Sequence, residues 1–123
     1  MGGLQEVLKR IKEKPGMYIG RASVTDLFMF IVGYEFARGE LDIDLNDWEA
    51  DFHENFHDFV EKKYNLHTSS WASIIMLYCR DEKTGFERFF QVLEEFERRD
   101  KGLDASSAEP ERDIPVDELY LVN

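Results

Sequence analysis

Apolar positions along the first hundred residues recur at helical spacing in separate blocks, and each block is closed by a turn signal. Residues 4–14, LQEVLKRIKEK, place Leu4, Val7, Leu8 and Ile11 at i, i+3, i+4 and i+7, with lysines and Arg10 opposite. Pro15-Gly16 ends that helix. Met17, Tyr18 and Ile19 follow between Gly16 and Gly20, an apolar loop expected to tuck its side chains under the first helices. Ser23 or Thr25 then caps the next helix, with Asp26 near its positive end.

That next helix is the most apolar stretch of the chain. Within residues 27–37 only Gly33 and Glu35 are not apolar, and a helix hydrophobic on nearly every side is one that other helices enclose. The expectation is a buried central post over residues 25–38, stopped by Gly39. Glu35 is its anomaly. It either lies at an exposed edge, paired with Arg38 or Arg21, or is buried with a partner.

Residues 40–45, ELDIDL, alternate acid with Leu41, Ile43 and Leu45 as a short extended connector. Asn46 caps a long helix to about Tyr64. At about 100° per residue, Trp48, Phe52, Phe56, Phe59 and Val60 fall on one arc, and Asp47, Asp51, Glu54, Asp58 and Glu61 on the opposite one. One face packs and the other is a carboxylate stripe. Residues 65–70 form a polar turn whose Ser69 or Ser70 caps WASIIMLYCR, where Trp71, Ile74, Ile75 and Tyr78 share a side. Thr84-Gly85 either breaks or begins the following segment, in which Phe86, Phe89, Phe90, Leu93 and Phe96 keep helical spacing until Lys101-Gly102 closes it.

Past that point the pattern changes. Residues 102–113 read as an acidic linker, and 114–123, IPVDELYLVN, regain apolar character; they either dock as a short helix or strand through Val116, Leu119 and Tyr120 or form a free tail. The fold expected is therefore all-α: one domain over 1–101, a compact bundle of about five helices around a buried central helix, with a short C-terminal segment.

Size and charge narrow the function. The 123 residues suffice for one core without metal or disulfide support, and ten phenylalanines exceed what a disordered acidic chain carries. The single cysteine, Cys79, sits in an apolar run and fits a reducing, cytoplasmic setting. No apolar run is long enough to span a bilayer. Net charge is −11, distributed as +2 over residues 1–39, −7 over 40–63, −1 over 64–101 and −5 over 102–123. Nucleic acid and anionic membranes both require positive surface, so neither is the expected partner. A basic protein is.

One catalytic motif is present in the letters. His53-Glu54-Asn55-Phe56-His57 is HExxH on a predicted helix, the spacing by which zinc peptidases aim two imidazoles at one metal while the Glu activates water. A third ligand is missing locally, because Val60 and Lys63 stand where a metzincin continuation needs Gly and His. Glu82 or Glu87 would have to serve instead. A zinc-dependent hydrolase using His53, Glu54 and His57 is the alternative reading. Otherwise no catalytic residue and no cofactor is implied: Cys79 has no neighbouring His and there is no phosphate-binding Gly loop.

Two resemblances complete the reading. KPGMYIG, residues 14–20, resembles a segment near the start of the ATPase subunit of type II topoisomerases, but the Asp-x-Gly-x-Gly adenine site of that family is missing, so nucleotide hydrolysis is rejected. Taken together, PGMYIG (15–20), FIVGYEFA (30–37), FHDFVEKKY (56–64), SWASII (70–75) and GFERFFQVLEEF (85–96) resemble small bacterial immunity proteins of polymorphic toxin systems. That resemblance implies stoichiometric inhibition of a toxin domain, often a nuclease, with no catalysis. Charge alone, and not the resemblance, nominates the contact residues: Asp42, Asp44, Asp47, Asp51, Glu54 and Asp58. A generic protein-interaction adaptor has the same charge signature.

Overall fold

The starts of four of the helices are set by side-chain caps. In the computed structural model, which describes residues 3–68 and 70–99, the elements are α1 (Gly3–Glu13), α2 (Pro15–Tyr18), α3 (Val24–Glu40), α4 (Asp47–Tyr64), α5 (Trp71–Leu77) and α6 (Glu82–Arg98). Ser23 Oγ accepts from the N–H of Asp26 at 3.1 Å, Ser70 Oγ from Ser73 at 3.0 Å, and Asp81 Oδ1 from Thr84 at 2.8 Å. Each such cap contributes about 1 kcal/mol by satisfying a helical N–H that has no partner within its helix. α4 has the full reciprocal box: Asn46 Oδ1 accepts from Glu49 N at 2.8 Å while Glu49 Oε1 accepts from Asn46 N at 2.9 Å. The described residues contain no strand, and no helix among them is long and apolar enough to cross a membrane.

The core is an aromatic cluster between α4, α5 and α6. Phe56 lies at its centre, stacked on Phe52 at 4.7 Å and edge-on to Phe96, Trp71 and Phe89 at 5.3, 5.4 and 5.6 Å. Offset and edge-to-face pairs of this kind add to the burial of ring area, because the positive ring edge meets the negative face. Leu4, Leu8 and Ile11 of α1 and Val24, Leu27 and Ile31 of α3 close the cluster from outside. Of the expected arc on α4, Phe52, Phe56 and Val60 are buried and Trp48 and Phe59 partly so.

The expected central post is not central. α3 buries Val24, Leu27 and Ile31 on one side and leaves Met29, Val32 and Phe36 on the other exposed, Phe36 by 67%. The helix that others surround is α6, which packs against α3, α4 and α5 and buries Phe86, Phe89, Val92, Leu93 and Phe96. A uniformly apolar sequence states that both sides of α3 avoid water; it does not state that this chain supplies both covers. Gly85 neither breaks nor begins α6. It lies in its first turn at the crossing with α3 and α5, where a Cβ would come within 2.7 Å of Val24 Cγ1 and 3.0 Å of Met76 Sδ. Glu82 fastens the same corner, accepting from Ser23 Oγ, Thr25 N and Thr25 Oγ1 at 3.0, 2.9 and 2.7 Å.

Two local expectations also change. Pro15 restarts the chain as a single helical turn rather than a loop, since a first-turn position loses nothing by lacking an N–H. That turn points Met17 (70% exposed) and Tyr18 outward, and only Ile19 packs on the core. α3 also passes through Gly39 to Glu40, with the Leu41 N–H closing on Ala37 O at 3.1 Å. The linker over 102–113 and the segment 114–123 lie outside the described residues.

Candidate interaction surface

The acidic candidates divide between two neighbouring elements. Asp47, Glu54 and Asp58 project from the solvent face of α4, and Asp42 and Asp44 lie exposed on the connector before it. Asp51 is different. It is half-buried, accepting from Arg99 Nη2 at 2.6 Å and Asn55 Nδ2 at 2.8 Å, and so it pins the C-terminal end of α6 onto α4 instead of facing a partner. Glu61, at the far end of the stripe, accepts contacts from His57 at 3.0 Å and His67 at 3.3 Å. Burial raises its pKa but the two imidazoles outweigh that, so its carboxyl is held below the ordinary range.

Apolar side chains continue the surface. Leu41 (70% exposed), Ile43 and Leu45 alternate with Asp42 and Asp44 along the connector. They adjoin the outer face of α3, where Met29, Val32, Gly33, Phe36 and Ala37 are all exposed. Scattered surface leucines need no explanation, but apolar residues contiguous along a helix face and its following loop form a larger exposed patch than single side chains make.

The connector is held rigidly at its base by a carboxylate that sequence reasoning missed. Glu49 is 2% exposed. Its Oε2 accepts from the Leu4 N–H at 2.7 Å and pairs with Arg38 Nη1, while Oε1 completes the α4 cap. One carboxylate thus ties the N-termini of α1 and α4 to the last turn of α3. Arg38 extends the tie through Tyr34 Oη at 3.0 Å and the Asp44 carbonyl at 3.1 Å. Burial pushes the Glu49 pKa up, but the Asn46 and Leu4 N–H groups and the Arg38 guanidinium prevail, and the carboxyl is held below its usual range. Gly3, at φ +60°, is required here, because a Cβ would lie 2.3 Å from Glu49 Oε2. The Asn-x-x-Glu spacing was the readable signal for the cap; nothing local announced the contacts with Leu4 and Arg38, 45 and 11 residues away.

The HExxH histidines have other companions. His53 is 58% exposed with Nδ1 3.4 Å from Glu35 Oε1, and His57 Nε2 contacts Glu61. Glu35 therefore faces His53, while its two candidate partners are engaged elsewhere: Arg21 with Asp26 at 2.8 Å and Arg38 with Glu49. Glu82 is occupied at the start of α3. Among the described residues no three His, Cys, Asp or Glu side chains are placed to hold a metal ion. Burial raises the Cys79 thiol pKa, Arg88 opposing and Asp81 adding to it, which leaves a weak nucleophile.

Compared with known proteins, the chain matches no family model, no curated protein and no solved structure.

Proposed function

We propose that this chain is a non-enzymatic binding protein acting in the cytoplasm, an immunity-type inhibitor that neutralises a basic toxin domain. The observation that carries the reading is the alternation of exposed Leu41, Ile43 and Leu45 with Asp42 and Asp44, leading directly into the carboxylates of α4. Apolar side chains ringed by like-signed charge have the composition of a protein–protein interface centre and rim. Desolvation of the leucines and isoleucine provides affinity, and the carboxylates provide steering and discrimination. A nuclease that grips phosphate is positively charged where it does so, and an acidic surface covers that site while competing with its substrate. The assignment to toxin immunity rests on the sequence resemblance.

Co-expression with the product of the adjacent gene tests it. The expected outcome is rescued growth and a stoichiometric complex; no rescue and no complex would remove the reading. Within such a complex, reversing charge at Asp47 and Asp58 lowers the association rate by about tenfold at low salt, with dissociation little changed. Asp51 is left out of that variant because its reversal would strand Arg99.

A further inference from the structure

In a chain of −11, the first two helices form a basic surface. Lys9, Arg10 and Lys12 on α1 and Lys14 just after it are all exposed, against two exposed acids, Glu6 and Glu13. Among the described residues none of the four cations is ion-paired with a carboxylate; Lys12 instead holds its Nζ 5.6 Å from the centre of the Phe90 ring. Arg21, further along, is engaged by Asp26 and adds no free charge. Met17 and Tyr18 follow directly at the C-terminal end of α1, where α2 turns both outward.

We infer that this surface is covered by the chain's own C-terminal segment, the acidic residues 100–113 returning along the cations of α1 and residues 114–123 setting their apolar side chains on Met17 and Tyr18. Three observations favour that occupant. The first is where α6 ends. Gln5 Nε2 donates to Glu97 Oε2 at 3.1 Å and Lys12 lies over Phe90, so α1 and α6 run antiparallel and the chain leaves α6 beside the start of α1. The second is reach. At 1.5 Å per residue the 11 residues of α1 are about 16 Å long, and the 14 residues 100–113 extend to about 45 Å, enough to pass over α1 and α2 with slack. The third is charge. Residues 102–123 carry −5, so they are repelled by the connector and α4, where residues 40–63 carry −7, and attracted by the unpaired cations of α1. Ile114, Val116, Leu119 and Tyr120 then supply the cover that the exposed Met17 and Tyr18 lack. This contact neutralises the basic surface and leaves the α4 carboxylates open.

Paramagnetic broadening on the full chain tests it. A nitroxide is attached at Asn123→Cys in a Cys79→Ala background, and backbone amide NMR signals are compared before and after the label is reduced. The expected result is loss of signal over residues 9–20 that reduction restores. Loss elsewhere on the folded body instead, or loss confined to the label's own segment, overturns the inference. Mixing isotopically enriched protein that lacks the nitroxide with unenriched protein that carries it identifies the source: intact signals support an intramolecular contact, and the same broadening would assign the segment to another copy and overturn it. Reversing Lys9→Glu, Arg10→Glu and Lys14→Glu together should remove most of the broadening, and raised salt should reduce it in the parent chain. All three positions are exposed, so helical dichroism serves as the control for folding, and Lys12 is kept because it covers Phe90. Broadening indifferent to both the triple reversal and salt would overturn the inference. None of these results depends on a toxin partner being found.

Discussion

α3 and α4 are helices of nearly equal length, 17 and 18 residues, and they treat apolar residues in opposite ways. α4 concentrates its rings on one face and its carboxylates on the other, so its sequence fixes which side meets the core. α3 is apolar all round, and three-dimensional neighbours decide which side is used. Val24, Leu27 and Ile31 were taken inward against α6, and Met29, Val32 and Phe36 were left outside. Amphipathic segregation is an instruction for orientation. Uniform apolarity is only a demand for cover.

The sharpest way to break this contrast is to delete one ring from each helix. Phe56 is 1% exposed and touches four other rings, so Phe56→Ala should cost about 3–5 kcal/mol, the transfer of a whole ring plus the cavity left among rigid neighbours. Phe36→Ala, measured by urea unfolding, should stay within about 0.5 kcal/mol of wild type. Equal losses would mean that α3's outer face is covered within the monomer.

The next test cuts the link between the two helices. Glu49→Gln leaves the half-buried Arg38 without its counter-charge and should cost about 2 kcal/mol, the loss of charge-assisted hydrogen bonds around a partly desolvated ion. The pH dependence follows from the sign of the shift. Glu49 has a lowered pKa in the folded protein, so it binds fewer protons there than when unfolded; its contribution is complete above the ordinary glutamate range and is lost as pH falls through the folded-state value. The wild-type chain should therefore lose stability on acidification more steeply than Glu49→Gln. Parallel acid unfolding curves would show that the carboxylate is not held as an ion.

How much of this was legible follows the same division. The helix at 47–64, the ring spacing of α6 from Phe86 to Phe96 and the ring face of α4 could be read because period and polarity agreed, and Asn46 and the Ser69-Ser70 pair announced their helices as caps, whereas the start of α6 at Glu82 was hidden behind Gly85. The Asn46–Glu49 box was legible in principle. What remained hidden was set by contacts distant in sequence: the enclosure of α6 rather than α3, the reach of Glu49 to Leu4 and Arg38, and the removal of Asp51 from the open carboxylates by Arg99. The all-apolar reading of α3 failed for a physical reason, since a period-3.6 argument has no purchase on a helix without a polar side. The HExxH spacing was real as geometry on one helix, yet a metal site needs ligands from other elements, and the described neighbours bring Glu35 and Glu61 to separate histidines.

A smaller pair of substitutions reads the two faces of α3 with the same chemical change. Gly85, on α6, abuts the inner face at Val24; Gly33 lies on the outer face with open space above it. Both are within helices, where replacing Gly by Ala gains about 1 kcal/mol from backbone entropy alone. At Gly33 nothing opposes that gain, and Gly33→Ala should stabilise the monomer by about 0.5–1 kcal/mol in a urea titration. At Gly85 the new methyl meets Val24 Cγ1 at 2.7 Å, a branched side chain at the foot of α3 that cannot swing aside without moving the helix end held by Glu82. Overpacking of about 1–3 kcal/mol then exceeds the entropic gain, and Gly85→Ala should come out destabilising. Opposite signs from one methyl mark one face of α3 as closed and the other as open, and matching signs would erase that distinction.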